Sequence, residues 1–356
     1  MRSSVSDKAV LFLCGLALSV GCTSKPSSPA PTVSSEIVGA GSTFVSPIMR
    51  CWINKYQQSN RQVQINYYAV GSGEGIQQLR KGSVDFAAID APLSDDQLKD
   101  MPVVIQLPES AGPVCITYNL PGLQQPLKLR PATLASIYLG KIRNWHHLAI
   151  AKDNPGVELP KSQVVVAHRA DASGTTSIFA TYLDTVSPEW HRTVGRGMSI
   201  TWPVGVGRRG SEGVTGIVRD IEGSIGYAEL AYASHYRLPV AKLCNRAGKW
   251  ISPDPQATSA AIAAFKDELS EDIRTPIINP PANAPNAYPI SGLTYLLIPR
   301  KPRDAKKGQY LKEFVRYILT EGQGLSDDLH YGRLPPELQD LSRCLLGQAT
   351  ERKMAY

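Results

Sequence analysis

The chain reads as an α/β protein with a largely parallel sheet in each of two domains, and three observations carry that reading. Short strands alternate with amphipathic helices from Ile37 onward. Three of the strand-to-helix turns are built from small and hydroxyl-bearing residues. The 356 residues, 42% hydrophobic and 19% charged, are enough for two ordinary domains. That composition excludes a disordered chain and a multi-spanning one. The formal net charge of +7 is spread along the sequence, without the Lys/Arg block that marks a nucleic-acid arm.

The first segment is not part of the fold. Arg2 and Lys8 precede a 12-residue apolar run, Ala9 to Val20. Spanning a bilayer takes roughly 20 apolar residues, whereas a signal peptide uses about 7–15. The run therefore predicts export, with residues 1–21 removed. It ends in Ser19-Val20-Gly21-Cys22, which resembles a bacterial lipobox, so Cys22 is the expected lipidation site. Residues 22–35, rich in Ser, Pro and Thr, have too few apolar groups to fold and read as a tether.

The elements then follow in order. Val63, Ile65, Tyr67 and Ala69 alternate as a strand, and Ile76 and Leu79 mark a short helix that Gly82 ends. Val84 to Ile89 is a buried strand, and Val164 to Ala167 another. Thr175 to Leu183 reads as a helix and Ser224 to Tyr227 as a strand. Leu311, Phe314, Val315 and Ile318 share one helical face that stops near Gly322. Two Pro/Gly-rich passages, Pro108 to Pro113 and Pro276 to Pro289, are candidate crossings between domains, the second as a loop. Cys51, Cys115, Cys244 and Cys344 allow three pairings and match no metal or redox spacing, so no disulfide is assigned. His146-His147 lacks a ligand set and reads as a solvated loop.

The three hydroxyl-bearing turns carry the chemistry. They are Gly39 to Phe44, leading to a helix with Ile48, Cys51, Trp52 and Tyr56 on one face; Gly71 to Gly75; and Arg169 to Thr175. Each presents backbone N–H groups and a hydroxyl at the positive end of a helix, which is an anion site without further machinery. A Ser or Thr at one helix start is as readily a plain N-cap; three in one chain, with Arg169 beside the third, favour the anion. None has the Lys and following Ser/Thr of a nucleotide-binding loop, and none matches the dinucleotide fingerprint. His168, Asp171 and Ser173 hold the letters of a hydrolase triad, but they crowd into six residues without a nucleophile elbow.

Gly39 to Phe44, Asp85 to Ser94, Tyr138 to Ile142, Arg169 to Thr175, Trp202 to Gly205 and Ile225 to Tyr227 together resemble the motifs of phosphate-binding proteins of ABC phosphate importers. The resemblance covers nearly everything after the tether. It implies a two-lobed periplasmic-binding-protein fold of type II, each lobe a mostly parallel sheet flanked by helices, with the ligand cleft between them. Lobe I would comprise residues 36–114 and 289–356, and lobe II residues 115–288. The resemblance also assigns roles. Thr43 and Phe44 would give hydroxyl and backbone donors, and Ser72 its hydroxyl and N–H. Ser173, Gly174 and Thr175 would wrap the anion from the other lobe. Arg169 would be the one positive side chain on the ligand, held by Asp171.

Asp90 would accept a hydrogen bond from the phosphate itself. Phosphate near neutral pH still carries a proton to donate and sulfate does not; the plainer role for Asp90 is a turn cap before Pro92. Ile89 and Ala172 depart from the family pattern next to the site.

The expected protein is thus no enzyme, holds no cofactor or metal and binds no nucleic acid. It is an exported monomer anchored to the membrane through Cys22. Its partners would be inorganic phosphate and the permease subunits and ATPase of an ABC importer. A binder of sulfate or molybdate, a phosphate-releasing hydrolase on the same scaffold, and a surface sensor or adhesin are the alternatives.

Overall fold

The computed structural model describes residues 35–351. The expected signal peptide, Cys22 and nearly all of the tether lie outside them. The chain opens with β1 (Ser35–Gly41), α1 (Ser46–Ser59), β2 (Val63–Ala69), α2 (Ser72–Lys81), β3 (Phe86–Ile89), α3 (Asp95–Lys99) and β4 (Val104–Tyr118). There follow β5 (Lys128–Leu129), α4 (Pro131–Tyr138), α5 (Leu148–Asp153), β6 (Val165–Arg169), α6 (Gly174–Val186), α7 (Pro188–Thr193) and β7 (Val206–Arg208). Next come α8 (Gly210–Asp220), β8 (Ser224–Glu229), α9 (Leu230–His235), β9 (Lys242–Cys244), β10 (Trp250–Ile251), α10 (Pro255–Ala263) and α11 (Lys266–Glu271). The chain closes with β11 (Ser291–Pro299), α12 (Ala305–Ile318), two short 3₁₀ turns and α13 (Pro336–Glu351).

Eight strands form one curled sheet in the order β2-β1-β3-β11-β4-β8-β6-β7, and β10-β9-β5 form a small second sheet. Pairs β1–β2, β1–β3, β6–β7 and β6–β8 are parallel, as strand–helix–strand crossovers require. The antiparallel pairs are β3–β11, β11–β4 and β4–β8, at the middle of the sheet. Every residue of β8, and all but the last of β11, is buried, so neither strand shows the apolar–polar alternation of a half-exposed one.

The two parallel halves are not separate sheets, because β4 serves both. Its residues Val104 to Pro113 pair with β11, and Val114 to Tyr118 pair with β8. The passage Pro108 to Pro113, which the sequence marks as a candidate crossing between domains, lies inside a 15-residue strand and ends where its pairing partner changes. Its prolines sit where no ladder donor is needed. Pro108 lies beside a bulge that leaves Glu109 as the extra residue, and Pro113 stands where the pairing partner changes.

Helix α1 turns Ile48, Met49, Trp52, Ile53 and Tyr56 inward, and Pro47 occupies the first turn, where no intrahelical donor is lost. Its Tyr56 packs on Phe314 of α12 at 5.2 Å between ring centroids. Helix α2 ends at Gly82 in the left-handed conformation, φ 67°. Strand β3 starts two residues later than its apolar pattern because the Asp85 carboxylate takes the Val38 N–H at 2.8 Å, in place of a ladder carbonyl. The second half is cored by aromatic rings: Tyr138 on Phe179, Phe179 on Tyr227 and Trp202 on Tyr227, at 4.7, 4.5 and 5.6 Å. Cys115 and Cys244 are buried thiols, and no helix among the described residues is long and apolar enough to cross a membrane.

One buried contact ties the C-terminal turns to the first helix: the Trp52 indole N–H donates to the Gly322 carbonyl at 2.8 Å. Trp52→Phe removes that donor and strands a buried acceptor. A loss of about 1–3 kcal/mol in chemical-denaturation stability is expected, with the fold retained.

Candidate functional site

The site lies at the carboxyl ends of β1, β2, β3 and β6; the turns after β1, β2 and β6 feed α1, α2 and α6, and Asp90 follows β3. Arg169 is the last residue of β6 and is 4% exposed. It forks onto Asp171, with Nε donating to Oδ1 at 2.7 Å and Nη2 donating to Oδ2 at 2.5 Å. Its Nη1 donates at 3.1 Å to the Thr43 hydroxyl, which belongs to the opposite half. The Gly210 N–H also donates to Asp171. Burial alone pushes the Asp171 carboxyl up, but the Arg169 bonds and charge prevail and hold it below its ordinary range.

Asp90 closes the end of β3 and is 3% exposed. It accepts from the Ser42 hydroxyl, and from the Thr175 hydroxyl at 3.4 Å. Its own N–H donates to the Ser72 hydroxyl at 3.3 Å. Burial raises the Asp90 carboxyl to about 6; the Ser42, Thr175 and Ser72 hydroxyls and the Arg169 charge limit the rise. The neighbouring Glu109, on the bulge, shows what happens without such donors. Neither of its carboxylate oxygens has a hydrogen-bond partner, and burial drives it well above the carboxylate range.

Two glycines let the walls meet. A side chain at Gly174 would stand 2.6 Å from both the Asp90 Cβ and the Ser72 hydroxyl. Gly71 has φ +97°, and a side chain there would stand 2.6 Å from an Asp171 carboxylate oxygen. Gly174 and Thr175 open α6, so their N–H groups have no partner within the helix. The Ser173 hydroxyl instead caps that helix, accepting from the Thr176 N–H at 3.1 Å. Phe44 points its ring into the core, and its carbonyl accepts from Tyr331 at 2.5 Å.

The structure thus brings together Thr43, Ser72, Asp90, Arg169, Ser173, Gly174 and Thr175, with Asp171 behind Arg169. Four further residues complete the arrangement. Ser42 holds Asp90. Ser211, the second residue of α8, meets the Thr43 hydroxyl at 2.9 Å. The Tyr227 hydroxyl accepts from the Arg169 N–H at 3.2 Å and bonds the Thr176 hydroxyl at 2.6 Å. Tyr232 donates across the cleft to the Thr43 carbonyl at 2.7 Å. The signal for Ser211 was present as a fourth strand–turn–helix, Val206 to Ser211, but its strand is only three residues long.

No hydrolase triad forms. His168 stacks on Trp202 at 4.9 Å and its Nδ1 pairs with the Arg169 carbonyl, while Asp171 and Ser173 are engaged as described. Among the described residues no group of His, Cys, Asp or Glu could hold a metal ion. His147 caps α5, accepting from the Ala149 N–H.

A two-lobed α/β fold with buried polar residues gathered at helix starts is that of a solute-binding protein. Residues 26–321 match the family described as a PBP superfamily domain. "Phosphate-binding protein PstS" of Xylella fastidiosa (strain Temecula1) is 38% identical over 314 residues, covering 88% of this chain and 85% of that one. The protein of the same name from Methanocaldococcus jannaschii is 36% identical over 357 residues, with 90% of each chain covered. Among solved structures, a phosphate-binding protein from Stenotrophomonas maltophilia superposes with a TM-score of 0.65 at 20% identity. That match covers 87% of this chain and 93% of the other. The chain belongs to the PBP superfamily and, within it, to the family of proteins named Phosphate-binding protein PstS.

The raised Asp90 carboxyl makes a stability prediction with a definite sign. A folded-state value of about 6 against an ordinary 3.8 means that the folded protein binds this proton more tightly than the unfolded chain. The contribution is fully present below about pH 4 and is lost as pH rises through about 6. A shift of this size corresponds to roughly 3 kcal/mol. Denaturant titrations between about pH 4 and 7 should show that loss in the wild type and not in Asp90→Asn.

Proposed function

We propose that the chain captures inorganic phosphate outside the cytoplasmic membrane and delivers it to an ABC importer, without catalysing a reaction. One observation carries the choice of anion. Asp90, a buried carboxylate held by hydroxyls from both halves, faces the cleft beside Arg169 and the free N–H groups that open α6. A partner for Asp90 must be an anion that still has a proton to donate. Phosphate has one near neutral pH and sulfate has none. The names of the relatives point the same way.

In this reading Arg169 supplies charge and two remaining N–H groups. Thr43, Ser72, Ser173 and Thr175 supply hydroxyls, and Phe44, Ser72, Gly174 and Thr175 supply backbone N–H groups. Asp171 fixes the guanidinium plane. Lobe I is residues 36–114 and 289–356, lobe II is residues 115–288, and the hinge runs through the two points where chain passes between halves. Support for that hinge comes from the β4 partner change between Pro113 and Val114, and from the Val114 N–H donating to the Ile290 carbonyl just before β11. Closure around the anion would then bring the lobes to the contacts seen here. Signal-peptide removal, acylation at Cys22, a monomeric state, and docking on the permease subunits and ATPase complete the proposal. No cofactor is needed. A hydrolase is disfavoured because His168 is stacked on Trp202 rather than placed as a base for Ser173.

Calorimetry with phosphate and sulfate at about pH 8, where Asp90 is ionised, tests the reading. Phosphate should bind at least about a thousandfold tighter than sulfate. Asp90→Asn should erode most of that margin, and Arg169→Lys should weaken phosphate by roughly 10–100-fold, because Lys cannot reproduce the fork onto Asp171. Tighter sulfate binding, or phosphate binding indifferent to Asp90→Asn, would overturn the assignment. Phosphomonoester turnover that disappears in Ser173→Ala would move the protein to the hydrolase class.

A further inference from the structure

We propose that the sheet end opposite the anion site is a basic face that rests on anionic phospholipid. Between Arg300 and Lys312 the chain carries six cations against one carboxylate, Asp304. That carboxylate is occupied as the cap of α12, accepting from the Lys306 and Lys307 N–H groups at 2.8 and 3.0 Å. The fold adds to the cluster. Arg303 donates to the Gly82 carbonyl at 2.7 Å, which places the α2 end, with Arg80 and Lys81, beside the segment. Arg80, Lys81, Lys301, Arg303 and Lys306 are all exposed. A hollow of ≈ 110 Å³ in the middle is lined by the cations Arg80, Lys301, Arg303, Lys307 and Lys312 and by the carboxylates Asp85 and Asp304, five against two, with Lys307 3.9 Å from Asp85.

Strand register fixes where this face lies. β11 runs antiparallel to β3, so Pro299 reaches the level of the start of β3, and the Arg300 N–H donates to the Val103 carbonyl at the start of β4. β1 pairs in parallel with β3 through Gly39↔Phe86, so its first residues lie at that same end. The chain therefore enters the described fold at Ser35 beside the basic face, and the anion site sits at the other ends of the same strands. Cys22 is thirteen residues upstream of Ser35, a span of at most about 45 Å and nearer 20 Å for a flexible chain. An acyl anchor there would hold the basic face against the lipid headgroups, and leave the site turned away from them. Each Lys or Arg near an anionic surface adds to the attraction, within a Debye length. The choice of lipid as occupant rests on the exported, anchored reading above; the charge cluster itself does not.

The full-length protein should be incubated with vesicles of phosphatidylcholine alone, or with about 30% phosphatidylglycerol, and its lysines acetylated and quantified by mass spectrometry. With phosphatidylglycerol at low salt, Lys301, Lys306 and Lys307 should react roughly threefold more slowly than on neutral vesicles, and Lys161 and Lys249 should not change. About 0.5 M salt should abolish the difference. In Lys81→Gln/Lys301→Gln/Lys306→Gln, with an unchanged melting temperature, Lys307 should lose its protection. Equal reactivity on both vesicle types, protection at Lys161 or Lys249 instead, or protection that survives in the triple variant would overturn the proposal. None of these outcomes touches phosphate affinity, so failure here and failure of the phosphate reading are distinguishable.

Discussion

A guanidinium that is 4% exposed keeps its charge only if its donors are engaged, and the site is organised around meeting that condition at Arg169. Three of its five N–H groups are taken, two by Asp171 and one by Thr43. Asp171 is two residues away on the same turn, so the pair is set within one half. Thr43 belongs to the other half. The same cation therefore orders its own turn and bridges the cleft, and Ser211 and Tyr232 reinforce Thr43 from the Arg169 side. Without that pair, the hydroxyls and N–H groups around it would have no fixed centre.

The acids nearby show how finely burial and hydrogen bonding are balanced. Asp90 and Glu109 are both buried in the same wall. Asp90 has hydroxyl donors from Ser42 and Thr175 and sits near Arg169, so it stays an ionisable group at about 6. Glu109, whose carboxylate oxygens find no hydrogen-bond partner, is pushed well above its ordinary value, with burial as the main cause and the Asp90 charge adding to it.

Much of this was legible in the sequence because it is local. The three strand–turn–helix starts were visible as glycine, hydroxyl and apolar periodicity, and the turns after β1, β2 and β6 bring their named residues to one place beside Asp90 at the end of β3. What was not legible is long-range. Ser42 bonds Asp90 across 48 positions, and Ser211 meets Thr43 across 168. Tyr138, Trp202 and Tyr227 belong to three separated motifs, and only the fold shows them as one aromatic core whose Tyr227 hydroxyl reaches Arg169. The prolines at Pro108 and Pro113 do not interrupt the strand, for a physical reason. Proline signals a break, but at a bulge its missing N–H costs nothing. The cations of Arg300 to Lys312 are spaced among Pro, Gly and apolar residues, and become a face only when Arg303 is drawn to the end of α2.

The formal charges at the site do not by themselves favour an anion. Arg169 contributes one positive charge, Asp171 cancels it, and Asp90 above about pH 6 adds a negative one. An incoming anion would meet a net repulsion if side-chain charge were the whole field. The attraction has to come from groups outside the charged side chains, namely the N–H groups that open α2 and α6 and the hydroxyls of Thr43 and Ser72. These donors are short-ranged and directional, so they act only when both halves are in place. In the proposed function binding and closure would then be one event, and Asp90 would be selective, since its repulsion is relieved only by an anion that brings its own proton. A carboxylate that opposes anions in general becomes, for a protonated one, another hydrogen-bond acceptor.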